Sequence, residues 1–207
     1  MKYSILILMA IVAGCASQKG NYSDSHQVHR YLAWVEGEFQ SGYATNRAVA
    51  NSKLAAWQEK APSANDTEDY LEYLSLLDAA GKGAEAETKL KVYLSDHPTE
   101  SRAAFLLGVH YLRAKKRELA SYFFTQLENN QDFPWKSLLY NNLGMLALQD
   151  KSRDQALMYF EKAVKANPPS AAPLVNLGSL YLQSRSYSDA KDLFKKAADI
   201  DPQFEDA

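Results

Sequence analysis

A 34-residue pattern occurs twice in succession in residues 137–204, and it constrains the fold more than any other feature of this 207-residue chain. Its apolar, small and proline residues stand at unit positions 4, 7, 8, 20, 24, 27 and 32. They are Tyr140, Leu143, Gly144, Ala156, Phe160, Ala163 and Pro168, then Leu174, Leu177, Gly178, Ala190, Phe194, Ala197 and Pro202. Spacings of three and four predict two amphipathic helices joined by a polar turn. Such a hairpin cannot bury its apolar face alone, so neighbouring copies are predicted to stack.

The glycines at position 8 fall inside a predicted helix. Gly144 and Gly178 each cost about 1 kcal/mol there relative to alanine. Close approach of the second helix of the hairpin would compensate for that cost. Ala156 and Ala190 are small enough to face the two glycines, and this pairing is the expectation.

Both copies resemble tetratricopeptide repeats, and the second also has the tyrosine usual at position 11, Tyr181, where the first has Ala147. The resemblance implies an all-α fold, a solenoid of helical hairpins wound into a right-handed superhelix. It implies four units, which are residues 67–100, 101–136, 137–170 and 171–204. Residues 26–66 are predicted to form a degenerate hairpin or N-terminal cap, and residues 205–207 the start of a further helix.

The N-terminus has the order of segments found in exported proteins. Lys2 precedes an apolar run at residues 5–13, which is too short to span a hydrocarbon core of about 30 Å and is typical of a secretory signal. The segment Val12-Ala13-Gly14-Cys15 resembles the lipobox of bacterial lipoproteins. That resemblance implies a signal peptide at 1–14 and acylation, such as palmitate, on Cys15. The alternative is an ordinary signal peptide with a chance cysteine.

The residues around Cys15 suggest where the mature chain resides. The polar segment that begins at Cys15 and ends at Ser25 predicts a flexible tether. Cys15 is the only cysteine, so an internal disulfide is excluded. By resemblance to lipoprotein sorting in Gram-negative bacteria, Ala16 implies the outer membrane, with the chain on its periplasmic face.

The first helix of each unit supplies the candidate binding residues. In tetratricopeptide repeats these helices line the concave surface, at positions 2, 5, 6, 9, 12 and 13. The predicted peptide-binding groove comprises Phe105, Val109, Leu112, Asn141, Asn142, Met145, Leu148, Val175, Asn176, Ser179 and Leu182. Asn142 and Asn176 could hold the backbone of an extended peptide, while the apolar residues receive its side chains or the apolar face of a helix. The alternative is that these residues pack within the solenoid.

Charge and motifs argue against nucleic-acid binding and catalysis. The net charge is −2 with both signs dispersed, whereas phosphate binding needs clustered Lys and Arg. His26 and His29 have no nearby cysteine or evident third ligand, so no metal site is predicted. The segment Gly81-Lys82-Gly83 is too short for a phosphate loop. We predict no catalytic residue, no cofactor and no enzymatic activity.

These patterns lead to one functional hypothesis and two alternatives. The hypothesis is a lipid-anchored periplasmic adaptor that binds a protein or peptide and so assembles or recruits an envelope complex. The combination is similar to tetratricopeptide lipoproteins that pilot secretins in type IV pilus biogenesis, and to those that tether peptidoglycan hydrolases. One alternative is the recruiting N-terminal region of a longer enzyme that continues beyond Ala207. The other is self-association through an uncapped final helix, in which Leu193 and Ile200 would be partly uncovered.

Overall fold

The structure is a computed structural model that describes residues 43–57, 62–166 and 171–200. These residues form helices and no strand, which confirms the all-α prediction. The helices are α1 (Tyr43–Trp57), α2 (Thr67–Ala79), α3 (Gly83–Asp96), α4 (Ser101–Arg113), α5 (Arg117–Glu128), α6 (Lys136–Gln149), α7 (Arg153–Lys165), α8 (Ala171–Gln183) and α9 (Tyr187–Ile200). The predicted signal peptide, Cys15, the tether and residues 205–207 lie outside the described residues.

The described chain forms two compact units that follow one packing scheme. The N-terminal unit contains α1 to α5 and ends at Phe133, and the C-terminal unit contains α6 to α9 and begins at Pro134. In the N-terminal unit α2 packs on α1, α3 and α4, and α4 also packs on α3 and α5. In the C-terminal unit α6 packs on α7 and α8, and α8 also packs on α7 and α9. The first helix of each hairpin therefore contacts the second helix of the same hairpin and a helix of a neighbouring hairpin.

A recurrent turn separates the two helices of each hairpin. One residue of this turn, at unit position 15, has a left-handed backbone. The four residues are Gly81, Lys115, Lys151 and Arg185, with φ of +82°, +59°, +59° and +63°. The N–H of the next residue donates to a carbonyl five residues back, as Ser152 does to Ala147 at 2.8 Å. This is the Schellman end of a helix, and glycine is the residue that adopts it without steric cost.

The position-8 glycines allow an aromatic side chain to approach the helix backbone. A Cβ at Gly144 would lie 2.5 Å from Cε1 of Phe160, and one at Gly178 would lie 2.8 Å from Cε1 of Phe194. The nearest atoms at both positions belong to the phenylalanines at position 24, because the flat edge of a ring fits against a backbone that carries no Cβ. The pairing with the alanines at position 20 stays a prediction.

The core contains residues at the apolar positions of the repeat pattern together with residues from other positions, among them Met145 of the predicted groove. In the C-terminal unit one buried cluster comprises Met145, Ala147, Ala156, Phe160, Leu177 and Leu180. Phe160 and the corresponding Phe124 of the N-terminal unit have no solvent exposure. Among the helices in residues 43–57, 62–166 and 171–200, none has both the length and the hydropathy of a membrane span.

Candidate protein-binding face

The candidate face is formed by the first helices of the hairpins, and each of the two units has its own part of it. In the C-terminal unit it comprises the predicted groove residues on α6 and α8, which we call the α6–α8 face. In the N-terminal unit it comprises Phe105, Val109 and Leu112 of α4. Of the eleven predicted groove residues, seven are buried, three are half-buried and one is exposed.

Three buried asparagines on the α6–α8 face take part in side-chain hydrogen bonds, one of which joins the two helices. The side-chain amide of Asn142 donates to the carbonyl of Leu138 at 2.9 Å, one turn earlier on the same helix. The side-chain amide of Asn176 donates to Oδ1 of Asn141 at 2.8 Å and so joins α8 to α6. The hydrogen bond between Asn176 and Asn141 therefore helps to hold the two helices together.

One acceptor on this face is unsatisfied. Asn176 has no solvent exposure, and its Oδ1 atom has no hydrogen-bond donor in the part of the chain that the structure describes. A buried acceptor that lacks a donor costs about 1–3 kcal/mol.

The accessible part of the α6–α8 face lies toward the C-terminal ends of its helices. Met145 and Val175 are buried, whereas Leu148 and Ser179 are half-buried. The Ser179 hydroxyl donates to the carbonyl of Val175 at 2.8 Å, within α8. Leu182 has 48% of its surface exposed. Apolar contact with a partner is therefore available at Leu148 and Leu182, which share position 12 of their repeats.

The N-terminal unit presents less accessible surface at the predicted groove positions. Phe105 is fully buried, with its ring centroid 5.7 Å from that of Phe124 and 5.6 Å from that of Phe133. Val109 is also buried, and Leu112 is half-buried. Phe105 is thus a core residue in this structure, in line with the alternative of internal packing.

The N-terminal unit contains a cluster of charged side chains around His110 that the sequence did not predict. His110 of α4 lies with Nδ1 2.7 Å from Oδ1 of Asp78 on α2 and with Nε2 3.2 Å from Oε2 of Glu87 on α3. The other oxygen of Asp78 accepts from Nη1 of Arg113 at 2.6 Å. Hydrogen bonding to Asp78, against the effect of burial, raises the pKa of His110. Hydrogen bonds led by the one from Lys91 lower the pKa of Glu87 to about 2.

A second set of ion pairs joins the same two first helices at their other end. The Arg102 guanidinium contacts the carboxylates of Glu68 and Glu100, with Nε 2.9 Å from Oε1 of Glu100. Glu68 and Arg102 occupy position 2 of consecutive units, so opposite charges 34 residues apart were a usable signal. In the described residues, no three His, Cys, Asp or Glu side chains are arranged to hold a metal ion.

Comparison with known proteins identifies the repeat in part of the chain and the fold in most of it. Residues 147–207 match the family model described as Tetratricopeptide repeat. No curated protein matches the chain in sequence. A crystal structure of MamA covers 84% of this chain and 97% of its own, with 18% identity and a TM-score of 0.52. A structure of MamA from Desulfovibrio magneticus RS-1, which comprises residue 41 to the end, covers 90% of this chain and 98% of its own, with 19% identity and a TM-score of 0.52.

A further MamA structure, from AMB-1 in space group P212121, has 20% identity, covers 76% of this chain and 95% of its own, and has a TM-score of 0.52. At such identities the likeness bears on the fold alone. Together with the helix order, these comparisons lead to one conclusion. The chain has the helical-hairpin fold of tetratricopeptide-repeat proteins, and its residues 147–207 match that family.

Proposed function

We propose that this chain is a non-enzymatic scaffold whose α6–α8 face binds a peptide or helix of a protein partner. The observation that carries the proposal is the accessibility of Leu148 and Leu182 at the same position of neighbouring repeats. Apolar surface contributes about 25 cal/mol per Å² when it is removed from water, so two aligned leucines favour an apolar ligand. Helices and extended peptides both present apolar side chains at spacings that such a row can accept.

One buried asparagine contact supports the proposal by joining the two helices of this face. Asn176 lies on α8 between Leu182 and the start of that helix, and its side-chain amide donates to Oδ1 of Asn141 on α6 at 2.8 Å. This hydrogen bond joins the two helices that carry Leu148 and Leu182.

Site-specific photo-crosslinking in intact cells tests this face. A photoreactive amino acid replaces Leu182 in one variant and Met158 in the other. Met158 is a matched control, because it is 43% exposed but lies on α7, a second helix. The proposal predicts discrete protein adducts from position 182 that are absent from position 158. Adducts of equal yield from both positions, or from 158 alone, would contradict it.

We further propose that the scaffold is anchored by lipid at Cys15 to the periplasmic face of the outer membrane, where it assembles or recruits an envelope complex. The supporting feature is the N-terminal sequence with its lipobox-like segment and Ala16. Labelling with an alkyne analogue of palmitate, followed by membrane fractionation, tests this. Wild type and Ser17→Ala should carry the label and sediment with outer membranes, and Cys15→Ser should do neither. Label retained by Cys15→Ser would refute the assignment.

Self-association through α9 is a second candidate, favoured by one specific observation. Tyr187 at the start of α9 is 63% exposed, and Leu193, Phe194 and Ile200 on the same helix are half-buried. A second copy that covered this helix would remove that apolar surface from water. The mass of the unlipidated protein in solution decides the matter: a dimer that Tyr187→Glu dissociates supports this candidate, and a monomer at all concentrations refutes it.

A further inference from the structure

The histidine at the junction of the first two complete hairpins contacts a carboxylate with each of its ring nitrogens. His110 is 7% exposed, and its partners Asp78 and Glu87 come from the two helices of the preceding hairpin. A neutral imidazole has one N–H donor and one acceptor nitrogen, whereas the protonated ring donates from both. Only the protonated ring can donate to both carboxylates, because a neutral ring would turn a lone pair toward one of them.

The other donors to these two carboxylates either bind the oxygen that His110 does not contact or are more exposed to water than His110. The second oxygen of Asp78 is taken by Arg113 at 2.6 Å. Glu87 also accepts from Lys91 at 2.6 Å, from the Tyr111 hydroxyl at 3.1 Å and from Lys116 at 3.2 Å. Lys91 and Lys116 are about half exposed, so water screens their charges more strongly than that of the buried ring.

The backbone of α3 holds the ring in place. A Cβ at Gly83, the first residue of α3, would lie 3.0 Å from Cε1 of His110 and 3.0 Å from Oδ1 of Asp78. The ring is therefore confined between the end of α2 and the start of α3. A change in the proton count of His110 acts directly on contacts between α4 and both helices of the hairpin.

We propose that His110 is a pH switch between the α2–α3 hairpin and α4. The protonated ring stabilises the contact of α4 with this hairpin, and deprotonation weakens that contact. The folded state raises the pKa of this ring, chiefly through the hydrogen bond with Asp78. A raised pKa gives stabilisation that is fully present below the pKa of the unfolded state. That stabilisation is lost as pH rises through the pKa of the folded state.

The test compares thermal unfolding of the full chain at about pH 5.5 and about pH 9, on either side of the range in which histidine titrates. His110→Gln can still donate hydrogen bonds but does not titrate. His97→Gln is the matched control, because His97 lies in the same unit, is exposed and stacks on Tyr93 with centroids 4.3 Å apart. The unfolding midpoint of wild type and His97→Gln should fall at the higher pH, and His110→Gln should lose most of that fall. An equal fall of the unfolding midpoint in all three proteins would overturn the proposal.

Two measurements on the wild-type protein keep the proposal testable if His110→Gln fails to fold. The NMR titration of the His110 ring should report a pKa above the usual value of about 6.5, and a value at or below it would overturn the proposal. Hydrogen exchange of the α2 and α3 amides, corrected for intrinsic rates, should be faster at about pH 9 than at about pH 5.5. Unchanged protection of these amides would refute the loosening.

Discussion

Replacing Gly144 by alanine tests the close approach that organises each hairpin. An alanine Cβ would lie 2.5 Å from Cε1 and 2.7 Å from Cδ1 of Phe160, closer than non-bonded carbon atoms allow. Phe160 is fully buried, so its ring has little room to withdraw. Overpacking of a filled core costs about 1–3 kcal/mol, whereas alanine gains about 1 kcal/mol over glycine in a helix. The free energy of unfolding should therefore fall by up to about 2 kcal/mol.

Urea unfolding followed by circular dichroism measures this change. Because overlap with a single ring causes the loss, Phe160→Leu should partly relieve it. In a double-mutant cycle, Gly144→Ala should cost at least about 1 kcal/mol less in the Phe160→Leu background than in wild type, which is within the range of coupling between touching residues. A Gly144→Ala protein more stable than wild type would show that α6 is open at this point. The packing described for position 8 would then be refuted.

Three further predictions concern individual contacts. Lys151→Gly should stabilise the chain by up to about 1 kcal/mol in urea unfolding, because Lys151 has a φ of +59°, which glycine adopts without strain. Lys151→Ala keeps that strain and is the control. Equal stabilities of the two variants would contradict the turn geometry. Ser137→Ala should cost about 1 kcal/mol in the same assay, because the buried hydroxyl donates to the Ala163 carbonyl at 2.9 Å. An unchanged free energy of unfolding would show that this hydrogen bond does not stabilise the fold. The pKa of Glu87 is lowered to about 2, so its stabilisation is present above about pH 4.5 and is lost as pH falls toward 2. Between these pH values the thermal midpoint of Glu87→Gln should fall less than that of wild type, and an equal fall would exclude Glu87 as a cause of acid destabilisation.

The repeat pattern was sufficient to predict the all-α hairpin fold, because a 34-residue period specifies which residues must be buried. It was not sufficient to predict which buried residues touch. Gly144 was correctly expected to permit a close approach, and the side chain nearest to it is that of Phe160, which the pattern did not single out for this contact. Periodicity places residues on a helix face, whereas the identity of a contact depends on how far each side chain reaches.

The charged contacts between hairpins were missed for a different reason. Asp78, Glu87 and His110 belong to three helices and share no motif, so nothing in the sequence brings them together. Only Glu68 and Arg102, at equal positions of adjacent repeats, had a detectable signal. The predicted groove residues show the same limit, because a position number does not reveal whether a side chain such as Phe105 points into the core or out to a partner.

The most direct test of the account is the affinity of the partner identified by crosslinking for two matched variants. Leu182→Glu places a charge on the accessible part of the α6–α8 face, and Met158→Glu places the same charge at similar exposure on α7. Leu182→Glu should raise the dissociation constant by about tenfold or more, while Met158→Glu should leave it unchanged. Unchanged binding by Leu182→Glu, or an equal loss in both variants, would contradict the claim that this face binds the partner.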